Sequence, residues 1–77
     1  QEIVSLEKQQ EYNDKLVKDF TKLLNAEDRL FEMGESSLFI INSRENSLVS
    51  SQLNEIALEN RYLNALISIY KTLANPN

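Results

Sequence analysis

The chain has no cysteine and no histidine, and only one glycine and one proline among its 77 residues. Without cysteine there are no disulfides. With histidine missing as well, the usual zinc, haem, iron–sulfur and Cys/His or Ser/His catalytic arrangements lack their parts. Carboxylates alone remain as candidate chemical groups, so the sequence predicts no cofactor, no metal and no enzymatic activity. Charge of one sign is never concentrated: 12 acidic and 8 basic residues leave a net charge of −4, and neither sign forms a block. Nucleic acid is therefore not an expected partner. No apolar run approaches the roughly eighteen residues of a membrane span, and the N-terminus has neither a basic nor an apolar leader region. The expectation is a soluble chain, or the soluble part of something larger. Cysteine usage does not fix the compartment. A chain this short buries a modest core and, lacking disulfides and metal, leans on association for stability.

What is present is helical periodicity. From Gln1 to Met33 there is no glycine or proline. Ile3, Gln10, Val17, Leu24 and Phe31 fall on one heptad row, Leu6 and Phe20 fall on the second row of the seam, and Leu16, Leu23 and Leu30 run beside them. After a break, Phe39, Val49, Leu53, Ile56, Leu63, Ile67 and Tyr70 step by threes and fours, with Asn42, Asn46 and Asn60 on the same stripe and Leu38, Leu66 and Leu73 flanking it. Strands are not expected, because neither half alternates with period two. Gly34 suits the left-handed residue that commonly ends a helix, and Ser36 and Ser37 can each accept a hydrogen bond from the free amides opening the next one. Asn75 before Pro76 closes the second helix. The fold class is thus all-α: a long antiparallel helical hairpin, or coiled coil, with its turn at about residues 33–37. The first helix covers about 2–33, the tip about 34–37 and the second helix about 38–74. Each helix is roughly 50 Å long at 1.5 Å per residue. Gln1 begins inside an already periodic pattern without a start signal, so a piece of a longer chain is expected.

Several polar groups invite a functional reading. Glu11/Lys15 and Asp14/Lys18 have the favourable i,i+4 order on a helix surface. Glu55 and Glu59 share a face, and paired carboxylates can do acid–base work, but no second motif completes a site and a solvated face is the simpler account. Glu27-Asp28 and Glu32/Glu35 lack calcium-loop spacing and read as surface charge. Ser43, Ser47, Ser50 and Ser51 read as a solvated face, with a channel wall as the functional alternative. Tyr62 and Tyr70 read as seam and flank packing rather than a stacking platform. The run Leu38-Phe39-Ile40-Ile41 is different, because two helices cannot bury all four side chains at the end of a hairpin. An exposed apolar apex points to contact with another chain.

Two segments, RLFEMGESSLFIINSRE at 29–45 and RYLNALISIYKTLAN at 61–75, resemble the C-terminal coiled-coil hairpin of TolC-type outer-membrane efflux proteins. The likeness covers nearly the whole chain in the right order, and the tip motif is its more specific part. It implies the periplasmic piece of a homotrimeric outer-membrane exit duct. The tips of such a duct meet the α-helical hairpin of a periplasmic adaptor, the membrane fusion protein, and through it an inner-membrane pump. On this resemblance Met33, Gly34, Glu35, Ser36, Ser37 and Leu38 match the adaptor-contacting tip. Ile40 and Ser43 stand where some members carry the aspartates of the closed entrance, and Arg44 lies beside them. Without those carboxylates an acidic ring does not carry over. Asn75 stands in place of the family's terminal glycine and tolerates the left-handed conformation next best.

Apart from the resemblance, the width of the apolar face predicts that an isolated hairpin pairs with a copy of itself as a dimeric four-helix bundle. Two other readings compete with the channel: a free-standing coiled-coil interaction or scaffold module, and the hairpin of the adaptor itself.

Overall fold

A computed structural model describes residues 2–75. Helix α1 runs Glu2–Glu32 and helix α2 runs Leu38–Ala74. They pack side by side into an antiparallel hairpin measuring 66 × 15 × 12 Å. These bounds fall within a residue of those predicted from the sequence, and Gln1 and Pro76 lie outside the described residues.

The chain reverses because α1 ends in a Schellman motif. The amide of Glu35 donates to the Leu30 carbonyl at 2.7 Å and that of Gly34 donates to the Phe31 carbonyl at 3.0 Å, which satisfies carbonyls that have no partner within the helix. Gly34 sits at φ 76°. A Cβ added there would meet nothing within 4 Å, so glycine is required by the left-handed backbone alone, a preference of about 1–2 kcal/mol over other L-residues. Ser37 opens α2: its backbone is extended and its hydroxyl accepts from the Ile40 amide. Ser36 does not share that task. Its hydroxyl donates instead to Glu27 on α1. At the far end Asn75 is not left-handed; with φ −142° and ψ 71° it lies outside the helical region, which is disfavoured for a residue that precedes proline.

On α1 the seam follows the predicted heptad row as far as Leu24, whereas Phe31, predicted on the same row, is exposed because the seam ends at the turn. Leu6 is buried and Ile3, Gln10, Val17, Phe20 and Leu24 are half-buried. Two polar residues on that row, Asn13 and Glu27, are buried as well.

On α2 the predicted seam is the wrong face. Phe39, Val49, Leu53, Ile56, Leu63, Ile67 and Tyr70 are all exposed. The residues that meet α1 are Ile41, Arg44, Leu48, Ser51, Glu55, Leu58, Tyr62 and Ala65, buried or half-buried at the same three-four spacing. The two rows are offset by two residues, which places them about 160° apart at 100° per residue. Helix α2 therefore carries a heptad pattern on nearly opposite sides. The buried polar groups of α1 explain which side is chosen. Had the more apolar row turned inward, Asn13 would have faced Val49 and Leu53, at a cost of about 1–3 kcal/mol for an unsatisfied group, and Glu27 would have lost the ion pair with Arg44. The observed row gives each a partner, and no buried side-chain nitrogen or oxygen among the described residues lacks one.

The apolar core is correspondingly thin. Leu6, Leu58 and Ala65 form its buried cluster, with Ile3 and Tyr62 packed against them near the open end of the hairpin. Tyr62 fills the seam as predicted, whereas Tyr70 is exposed.

Candidate docking tip

The turn end of the rod is apolar and uncovered. Met33, Leu38, Phe39 and Ile40 are exposed, with Phe39 at 81% of its full accessibility, while Ile41 is buried in the seam. One of the four residues in the apolar run is thus spent on holding α2 against α1, and three face outward. Gly34 and Glu35 are held by the Schellman bonds and Ser37 by its capping role.

Behind this surface lies a polar node. Glu27 is 9% exposed. Its Oε2 accepts from the Ser36 hydroxyl at 2.6 Å, and its Oε1 accepts from Arg44 Nε at 3.4 Å in an ion pair. The expectation that Glu27 is ordinary surface charge is corrected: it is buried on the second row of the seam, with Leu6 and Phe20, where its carboxylate ties α1, the loop and α2 together. The heptad register held the signal, since Glu27 is three residues beyond Leu24 and seven beyond Phe20. Arg44 faces this carboxylate, whereas Ile40 and Ser43 are exposed. The three candidates for an entrance are therefore divided, two outward and one across the seam.

A second polar node crosses the middle of the hairpin. Buried Asn13 donates through Nδ2 to the Ser51 carbonyl and accepts through Oδ1 from Asn54 Nδ2, both at 2.9 Å. Ser51 is buried here and directs its hydroxyl to the Leu48 carbonyl, so it leaves the solvated face on which it was placed. Ser43 and Ser50 stay on that face and Ser47 is half-buried. Together with Phe20, Asn42 and Asn46 they line an open groove beside the seam.

The Glu55/Glu59 pair gains a third carboxylate from α1. The Glu55 carboxyl is held above its ordinary value of 4.5, first by a hydrogen bond with Asp14, then by partial desolvation, then by the charges of Asp14 and Glu59. A raised folded-state value means the folded hairpin holds this proton more tightly than the unfolded chain. The benefit is complete below 4.5 and is lost as pH climbs through the folded value. Glu55→Gln is therefore expected to raise the melting temperature at neutral pH and to change it little well below pH 4.5. A thermal melt followed by circular dichroism at both pH values checks this; equal effects at both would rule out the Asp14 contact as the cause. Among the described residues no group of three or more His, Cys, Asp or Glu side chains could hold a metal ion, and no helix is long and apolar enough to cross a membrane.

Comparison with protein-family descriptions, with curated proteins and with solved structures gives no match.

Proposed function

We propose that this chain is the periplasmic tip hairpin of a trimeric outer-membrane export channel, a non-catalytic transport component that docks the helical hairpin of a periplasmic adaptor. One observation carries the reading. Leu38, Phe39 and Ile40 stand exposed on an apex held by the Met33, Gly34 and Glu35 amide bonds and the Ser37 cap, and an uncovered apolar surface at the end of a rod suits another protein rather than solvent. The tip residues Met33 to Leu38 make the contact, and the inner-membrane pump is reached only through the adaptor. Ile40 and Ser43 face the entrance and close it by apolar packing and small polar contacts, while Arg44 serves the seam.

The outer row of α2 supports lateral association. In the complete channel it lies against neighbouring hairpins. In the isolated hairpin it pairs with a second copy, giving a dimeric four-helix bundle. The same row also favours the second reading, a free-standing coiled-coil interaction module. The sequence flanking the hairpin separates the two readings, because a channel requires strands with alternating lipid-facing residues before and after a hairpin of this kind.

The direct test places a photo-crosslinking residue at Phe39 in the full-length protein in its own cells. The expected adduct is with a periplasmic protein whose helical hairpin is flanked by lipoyl-like strands, and it disappears when Leu38 and Ile40 are both replaced by serine. Adducts confined to cytosolic proteins would refute the assignment.

A further inference from the structure

We propose that Glu27 is the positioning residue of the tip, selecting which of two adjacent serines caps α2 and hence which side chains emerge at the apex. For its geometry the inference stands alone; for its consequence it rests on the docking reading. Ser36 and Ser37 are equally competent N-caps by residue type. A helix begun at Ser36 instead of Ser37 would start one residue earlier, and the side chains of the first turn would be rotated by about 100° relative to the turn that feeds it. Leu38, Phe39 and Ile40 would then present a different surface, and Ile41 would leave the seam.

The structure resolves this choice through one carboxylate. Glu27 spends its two oxygens on different elements, Oε2 on the Ser36 hydroxyl at 2.6 Å and Oε1 on Arg44 Nε at 3.4 Å. The first bond orients the Ser36 hydroxyl toward α1 rather than toward the amides that open α2, and the Ser37 hydroxyl accepts from the Ile40 amide. The second fixes the rotation of α2 two turns further on. Packing alone gives no reason for a carboxylate here, because an apolar side chain at a buried seam position is often as stabilising as a buried ion pair, or more so. Charge at this position specifies a geometry that hydrocarbon would leave undetermined.

The experiment compares Glu27→Met with the unaltered protein and uses Ser36→Ala as a milder variant that leaves the seam intact. Hydrogen exchange is read at the Glu35, Ile40 and Ile41 amides, all of which are bonded in the turn or first helical turn, alongside the melting temperature. Glu27→Met is expected to keep or raise the melting temperature while these amides exchange about tenfold faster, the scale of losing one charge-assisted hydrogen bond. Ser36→Ala is expected to show the same acceleration at a nearly unchanged melting temperature. Exchange that stays at the original rate in both variants, or that rises only in proportion to a fall in global stability, overturns the proposal. The Phe39 crosslinker separates the two layers of the argument. If the unaltered protein captures no adaptor while the exchange rates still shift, the docking reading fails and the positioning role stands. If capture is equal in all three proteins and exchange is unchanged, the positioning role fails and docking stands.

Discussion

Leu58→Ala is expected to lower the stability of the hairpin by about 2–3 kcal/mol, while Leu53→Ala, one and a half turns away, changes it by less than about 0.5 kcal/mol. Leu58 is 3% exposed and sits in the buried apolar cluster with Leu6 and Ala65, whereas Leu53 is 62% exposed. The estimate for Leu58 is taken near the lower end of the range for leucine truncation because a seam one side chain thick lets neighbours or water fill the gap. For a domain of this size the loss corresponds to a fall of about 10–20 °C in the melting temperature. Thermal melts at concentrations low enough to keep the hairpin monomeric provide the check. The pair of variants decides which face of α2 meets α1, and a larger effect at Leu53 would return the seam to the more apolar row.

That contrast also shows what could be read from the sequence and what could not. The reversal at Gly34 was legible because it depends on local chemistry: one residue free to take φ 76°, followed by serines that cap. The seam of α1 was legible because its apolar residues, with the Leu16/Leu23/Leu30 flank beside them, lie on one broad face. Helix α2 was not, because two rows satisfy the same heptad spacing and the more hydrophobic one is the wrong choice. Deciding between them requires knowing that Asn13 and Glu27 lie on the seam of α1 and must be answered from across it. Both residues were in register with Leu6 and Phe20, so the information was present, but only when the two helices are considered as a pair. At the tip, exposure of Leu38, Phe39 and Ile40 followed from the hairpin itself. The roles of Ser36 and Arg44 did not, since each is set by the Glu27 carboxylate 9 and 17 residues away in sequence.

Replacing Leu53, Ile56 and Leu63 together by glutamine is expected to abolish self-association while leaving the hairpin folded. All three lie on the outer row and are more than half exposed in a single copy, so their loss removes nothing from the seam, and glutamine keeps helix propensity close to that of leucine. In a four-helix bundle each would be covered by the partner. Burial of one such side chain contributes about 1.5–3 kcal/mol, so losing three weakens the dimer by a factor of about a thousand or more, even allowing for incomplete burial. Sedimentation equilibrium at high micromolar concentration should show a dimer for the original chain and a monomer for the variant, with far-ultraviolet circular dichroism retaining its helical signal. A dimer that survives the triple replacement would move the contact to another surface, the Leu16/Leu23/Leu30 flank of α1 being next in apolar content. A monomeric, fully helical species before any replacement would refute the dimeric four-helix bundle.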